Sequence, residues 1–472
     1  MTSEKVVLIG FDGLPYDVVS SLPKNRFPTF NKILKEGCHG VLTSTIPPSS
    51  PTAWTSLVTG KSPGKHCVFG FSHVSKGVVT PQYSWVGRFN PVWDILSNMG
   101  KKVVILNVPF TYPPYKVNGI LITGFPSPMN RIESFPPTFV DQLKSKIENY
   151  DLDVPLENED YADMDEEKFL EGIYRITEAR TEATFHLMEN YDWDFFFVVF
   201  TSLDRLQHVY YGYYDEKSPL HDNTKRKILL TYYAKMDEIL DNILSTIDKK
   251  TFLIIISDHG FDYVHKSIGL NNLLSDQGFL ERKKNRLNRK NLKILWEQSG
   301  LIRKIIRKLP VKIARNLQTI IPSKVNYSKS KAYIDYSCTI TLKKGLQPQI
   351  REDLKNEIVK YLHSVKDSET NDRIFDKVYT KEEIFSETSE EIPEIFFLVR
   401  RGYQLKRWTE KPLERIKRPS SPNRTIKTGD HPSHYAQRGF FSITGEPVKK
   451  NFISNATILD ITPTILHIFD VP

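Results

Sequence analysis

Lys5-Val6-Val7-Leu8-Ile9-Gly10-Phe11-Asp12-Gly13 decides the fold. Its apolar run is too short for a helix and shows no polar alternation, so it reads as a strand buried on both faces. It stops at an acid and a glycine, as a parallel strand does at its carboxyl edge. Further along, Lys102-Val103-Val104-Ile105-Leu106-Asn107 repeats the pattern after a helix signal at Val92-Trp93-Asp94-Ile95-Leu96. Asp194 to Phe200 does so after a long helix with Phe169, Ile173, Ile176, Ala179, Ala183 and Leu187 at three- and four-residue spacing. Thr251 to Ile256 does so after a helix around Ile228 to Leu244. Strands alternating with helices predict an α/β fold: a mainly parallel sheet with helices on both faces.

The chain has 472 residues, 39% hydrophobic and 12% aromatic, enough for one large α/β core with insertions. Its net charge of +9 is concentrated, because residues 281–330 hold 15 Lys/Arg against 2 Asp/Glu. Within that segment Leu301, Ile302, Ile305, Ile306 and Leu309 share a helical face ringed by Arg303, Lys304, Arg307 and Lys308. The expected organisation is a first part of the core over 1–275, a basic helical cap inserted over 276–330, and a return to the core over 331–472. The last part would hold small α/β elements and a C-terminal ligand loop. Packing of the cap's apolar stripe on the core is the plain reading; peripheral membrane contact through 301–317 is the sharper one. No nucleic-acid module is visible, so nucleic acid is not an expected partner. Cys38, Cys67 and Cys338 form no CxxC pair, and Val6 to Ile9 is too short for a signal-peptide core. No stretch reaches about eighteen apolar residues, and a cytoplasmic location is expected.

Polar groups recur where strands end. Asp12 follows the first strand; Asp204 and His208 follow Phe195 to Phe200; Asp258 and His259 follow Leu253 to Ile256; His431 and His434 stand in Thr428-Gly429-Asp430-His431-Pro432-Ser433-His434. Ligand sites of open α/β sheets gather outside the carboxyl ends of the strands. Mixed Asp/His sets there suit zinc or manganese. Any one of these acids alone is an ordinary helix cap; recurrence after three strands shifts the balance. The candidate nucleophile is Ser50, in Pro47-Pro48-Ser49-Ser50-Pro51-Thr52-Ala53-Trp54. A hydroxyl at a helix N-terminus meets a field that favours phosphate, although from this stretch alone Ser50 reads first as a plain helix cap.

Taken in order, these stretches resemble the type I phosphodiesterase/nucleotide pyrophosphatase family of the alkaline phosphatase superfamily. They are Ile9 to Gly13, Pro51 to His66, Asn107-Val108-Pro109-Phe110-Thr111-Tyr112-Pro113-Pro114, Asp204 to His208, Ser257 to Gly260, and Asp460 to Leu466. The resemblance implies an alkaline-phosphatase-like sheet and two divalent ions, zinc by preference and manganese second. It assigns Asp12, Asp258 and His259 to one ion, which Ser50 also contacts. It assigns Asp204, His208 and a C-terminal histidine to the other. His431 fits the Gly-x-His pattern and is preferred; His434, nearer Gly439, is the alternative. Ser50 would attack phosphorus and form a phospho-serine, on a phosphate-ester small molecule or a glycan- or lipid-linked substrate. Two departures bear on specificity: Phe71 stands where nucleotide pyrophosphatases place a phosphate-contacting asparagine, and Cys67 replaces the glycine usual after His66.

Rival readings are a phosphonate or other ester hydrolase or a phosphomutase of the same superfamily, or a non-catalytic metal-stabilised protein that binds lipids or glycans. Sulfatase is disfavoured, because Ser50 is followed by Pro51-Thr52-Ala53-Trp54 without the arginine of that motif.

Overall fold

Val6–Phe11 is buried along its whole length because a strand lies on each side and an apolar layer covers each face. The structure is a computed structural model that describes residues 4–75, 78–81, 89–128, 131–154, 161–283, 324–387, 389–417 and 419–471. The basic amphipathic stretch expected over 301–317 lies outside the described residues. Among the described residues the main sheet has nine strands. In chain order they are β1 Val6–Phe11, β2 Cys38–Thr43, β3 Val103–Val108, β4 Gly119–Thr123, β5 Ser134–Phe135, β6 Phe195–Phe200, β7 Phe252–Ile256, β8 Arg438–Thr444 and β9 Asn451–Thr457. They lie side by side as β9-β2-β8-β7-β1-β6-β3-β4-β5. Strands β7, β1, β6, β3 and β4 run parallel, whereas β8 is antiparallel to both its neighbours.

The two faces follow from the two-residue period of a strand. Val7, Ile9, Phe11, Val104, Leu106, Phe196 and Val198 face one way, onto helices Glu166–Asn190, Ser202–Tyr214 and Asn223–Thr246. Val6, Leu8, Val103, Ile105, Phe195, Phe197 and Val199 face the other, onto helices Ser50–Thr59, Val92–Asn98 and Ile461–Ile468. Gly10 belongs to the second face. A Cβ there would stand 2.5 Å from Trp54 Cη2, so only glycine lets the indole lie against β1.

Between β7 and β8 the chain builds a second unit. Strands Ala332–Tyr333, Thr339–Leu342, Ile395–Val399 and Phe375–Thr380 form a four-stranded antiparallel sheet in that order. Helix Pro348–Ser364 packs on it through Leu354, Ile358 and Leu362, in an apolar cluster separate from the two around the main sheet. A further sheet joins Asp262–Gly269 to Gly402–Lys406, Leu413–Arg415 and Gly429–Asp430. This sheet leads the chain from the main sheet into the smaller unit and back.

Candidate active site

The parallel strands deliver the polar residues to one edge. Asp12 follows β1, Asp258 and His259 follow β7, and Thr201 leads from β6 into helix Ser202–Tyr214. Asp204 and His208 sit one turn apart on that helix, with Asp204 Oδ1 3.5 Å from His208 Nε2.

Ser50 is the first residue of helix Ser50–Thr59, with Ser49 as the N-cap residue. Its Oγ lies 3.4 Å from Asp12 Oδ1 and 3.2 Å from His259 Nε2. The serine therefore faces the acids and does not cap its own helix. Pro51 carries no N–H and Ala53 N already donates to Ser49 O at 2.8 Å, so the Ser50 and Thr52 amides are the first-turn donors that make an anion-binding field beside the hydroxyl.

The three histidines are oriented alike. His208 Nδ1 lies 3.0 Å from Gly429 O, His259 Nδ1 2.8 Å from Gly260 O, and His431 Nδ1 2.7 Å from Pro48 O. A carbonyl only accepts, so each Nδ1 carries a proton, and in the neutral ring each Nε2 presents a lone pair. Those lone pairs meet carboxylate oxygens. His259 Nε2 is 3.5 Å from Asp12 Oδ1 and 3.4 Å from Asp258 Oδ2, in addition to the His208–Asp204 approach. Asp204 Oδ1 and Asp258 Oδ2 are buried and have no hydrogen-bond donor among the described residues. Acceptors facing acceptors in a buried site repel unless a cation lies between them, and this is the donor set that divalent ions require. Among the described residues, two groups have ligand atoms within 4.8 Å of one another: Asp204, His208 and His431; and Asp12, Asp204 and His259. Asp204 thus belongs to both.

The electrostatics agree. Burial and then the Asp258 charge push the Asp12 carboxyl up to about 7. Burial and then Asp12 push Asp204 up to about 7, and burial raises Asp258. For His259 burial opposes protonation, but Asp258, Asp12 and Asp204 outweigh it and raise the ring. Burial, then Lys427 and His431, hold His208 well below its ordinary range. Burial and then the neighbouring His259 hold His431 at about 3, which keeps it neutral. Crowded carboxylates that raise one imidazole, beside two that burial keeps neutral, are what positive charge would relieve.

The structure brings Asp12, Ser50, Asp204, His208, Asp258, His259 and His431 together. It does not bring His434, whose Nδ1 lies 2.7 Å from Asp376 Oδ2 of the smaller sheet. The ring of His431 instead stacks on that of His259 at 4.1 Å.

Several supporting residues escaped the reading of the sequence. Trp54 Nε1 donates to Asp12 Oδ2 at 3.1 Å; its place four residues after Ser50 on one helical face was a usable signal. The backbone N–H of Gly13 donates to Asp258 Oδ1 at 3.1 Å. Arg205 holds Asp204 Oδ2 at 2.9 Å and is itself held by Asp153 Oδ2 at 2.7 Å and by Tyr161 Oη at 3.0 Å. Asp153 and Tyr161 lie far from Arg205 in sequence, and the carbonyls of Gly429, Gly260 and Pro48 have no side-chain signature at all. Phe71, where the resemblance called for asparagine, stacks on Phe110 at 5.6 Å and meets Phe125 edge-on at 5.5 Å. The Arg205 guanidinium covers Phe125 at 4.7 Å.

Comparison with known proteins supplies the remaining context. No curated protein matches the chain. Among solved structures, an inactive variant of murine ectonucleotide pyrophosphatase/phosphodiesterase 5 in complex with AMP aligns with a TM-score of 0.56 at 13% identity, covering 99% of this chain and 96% of that one. The human ectonucleotide pyrophosphatase/phosphodiesterase 5 aligns at 0.54 and 14% identity, with coverage of 99% and 96%. Phosphonoacetate hydrolase from Sinorhizobium meliloti 1021, in complex with phosphonoformate, aligns at 0.60 and 13% identity, with coverage of 99% and 96%. At these identities the likeness is one of fold. The type I phosphodiesterase/nucleotide pyrophosphatase family model matches residues 6–433, a span that includes every residue of the cluster. The chain therefore belongs to the type I phosphodiesterase/nucleotide pyrophosphatase family, and is a phosphoric ester hydrolase.

Proposed function

We propose that this chain cleaves phosphate esters through a phospho-serine formed on Ser50. Asp12, Asp258 and His259 would hold one divalent ion and Asp204, His208 and His431 a second, with zinc preferred over manganese for this Asp/His set. When bound, such ions supply positive charge that favours the serine alkoxide and offsets charge on the phosphoryl oxygens. The observation behind this reading is the set of histidine lone pairs aimed at donor-less carboxylate oxygens around Ser50 Oγ.

The protein's own residues do the rest. Ser50 Oγ forms a bond to phosphorus while the ester P–O bond breaks and the alcohol departs. Water then cleaves the phospho-serine, which returns the hydroxyl and releases phosphate or a phosphate monoester. The Ser50 and Thr52 amides of helix Ser50–Thr59 orient the phosphoryl oxygens. Trp54 and Arg205 keep Asp12 and Asp204 in place through the attack. Positioning and charge account for most of such a transfer.

The test is hydrolysis of bis-p-nitrophenyl phosphate with zinc, manganese or magnesium supplied in turn. Wild type should turn over, and Ser50→Ala should lose about 10³-fold or more, as removal of a covalent nucleophile does. Bound metal with no turnover would instead support a silent, metal-stabilised binding protein.

A second reading, phosphonate hydrolysis, is favoured by the fold likeness to a phosphonoacetate hydrolase and by Phe71 in the asparagine position, which removes a phosphate contact expected for nucleotides. Phosphonoacetate assayed beside a nucleotide diester would rank the two.

A further inference from the structure

Arg401 belongs to neither ion group, yet it joins the elements that bear the second one. It lies between strand Ile395–Val399 of the smaller sheet and strand Gly402–Lys406. Its Nε lies 2.8 Å from Asp262 Oδ1 and its Nη2 2.5 Å from Asp215 Oδ2. The guanidinium is held between two rings, with Tyr435 at 4.4 Å and Tyr263 at 5.0 Å from their centroids. Asp262 and Asp215 are almost withdrawn from solvent, with side chains 2% and 15% exposed.

What the two acids hold gives this pair of bonds its meaning. Asp215 is the C-cap of helix Ser202–Tyr214, the helix that bears Asp204 and His208. Asp262 grips both ends of the turn bearing His431: it faces Asp430 in the ladder between Asp262–Gly269 and Gly429–Asp430, and its Oδ2 accepts from Ser433 Oγ at 2.8 Å. From the smaller sheet, Val399 N donates to Pro432 O at 3.0 Å and so holds the middle of the same turn. One planar fork therefore fixes the helix with two ligands relative to the turn with the third. Asp12, Ser50 and Asp258 stand on or next to main-sheet strands and the Ser50–Thr59 helix, and of the first group only His259, three residues before Asp262, lies near this linkage along the chain.

We propose that Arg401 is a positioning residue for the second ion group, through which the smaller sheet sets the distance between Asp204 and His208 on one side and His431 on the other. The proposal rests on the reading that the two groups hold ions. Outer partners of this kind change metal affinity by about 10- to 100-fold when removed. Lysine would not substitute, since a point charge cannot serve two carboxylates along two directions.

The test is zinc titration of the chelator-stripped full chain by calorimetry, with bound zinc counted after gel filtration. Wild type should bind two ions per chain. Arg401→Met should keep one affinity and weaken the other about 10- to 100-fold. Ser433→Ala, which removes only the hydrogen bond at the end of the turn, should weaken that same site less. His431→Ala should lose that site, and Arg401→Met added to it should change zinc binding no further. Two unchanged affinities in folded Arg401→Met and in Ser433→Ala would overturn the proposal, as would equal weakening of both sites in Ser433→Ala. A wild type that binds no zinc would end the ion reading itself, and with it this inference.

Discussion

At the scale of single residues, the site depends on how Asp12 is held. One of its oxygens takes the Trp54 indole N–H at 3.1 Å, and the other faces Ser50 and His259. Trp54→Phe keeps the ring's bulk and removes that donor, leaving a buried carboxylate oxygen unpaired at about 1–3 kcal/mol. The expected results are a lower melting temperature in chelator and zinc binding about 10-fold weaker. Gly10→Ala acts on the same contact from behind. Its Cβ would meet Trp54 Cη2 at 2.5 Å and Val199 Cγ2 at 3.0 Å, and overpacking of this kind costs about 1–3 kcal/mol. Displacement of the indole should cost activity as well as stability. An alanine variant that melts like wild type and turns over at the wild-type rate would show that the indole's seat is not tight.

At the scale of elements, the smaller unit is joined to its approach strand by a buried charge cluster. Lys266 on Asp262–Gly269 meets Asp367 Oδ2 at 2.6 Å, and Tyr403 Oη donates to the same oxygen at 2.6 Å. Their side chains are 4% and 0% exposed for Lys266 and Asp367. Loss of one member of a buried pair costs about 3–5 kcal/mol. Asp367→Ala should fall near the low end, because Glu369 still reaches Lys266 at 2.9 Å. The pH dependence has a definite sign. Burial opposes ionisation of Asp367, but Lys266 and Tyr403 outweigh it and hold the carboxyl at about 2. A carboxyl with a depressed folded value contributes its stability above the unfolded value of about 4, and that stability is lost as pH falls through about 2. Denaturant melts of wild type and Asp367→Ala should therefore differ most near neutrality and converge toward pH 2. A gap that stays constant with pH would assign the stabilisation to packing.

At the scale of the whole molecule, ion binding and folding should be linked. Three buried carboxylates, Asp12, Asp204 and Asp258, are forced together by the ends of three parallel strands, and burial raises all three. The fold thus holds anions at close range that the unfolded chain would separate. An ion bound to the native state at 100 times its dissociation constant adds about 2.7 kcal/mol per site. Chelation should lower the melting temperature and added zinc should restore it, as read by differential scanning calorimetry. A melting temperature indifferent to chelator, in protein that holds no metal, would count against an ion-bearing centre.

The sheet was legible because strand burial leaves its record in consecutive residues. Val6–Phe11, Val103–Val108, Phe195–Phe200 and Phe252–Ile256 appear within a residue or two of where the apolar runs put them. Asp12, Asp258 and His259 stand out in the sequence because they follow strand ends, Ser50 and Asp204 because they lie in the first turn of a helix, and His208 because it falls one turn beyond Asp204. The sequence pattern preferred His431 but left His434 open, and it assigned no role to Trp54, Arg205 or Arg401. Both histidines lie in one short loop, and what separates them is the opposite wall: the Pro48 carbonyl for His431 and Asp376 for His434. Local pattern determines which residues reach the carboxyl edge of a strand. Which of them meet there depends on contacts between segments hundreds of residues apart, and only the folded chain sets those.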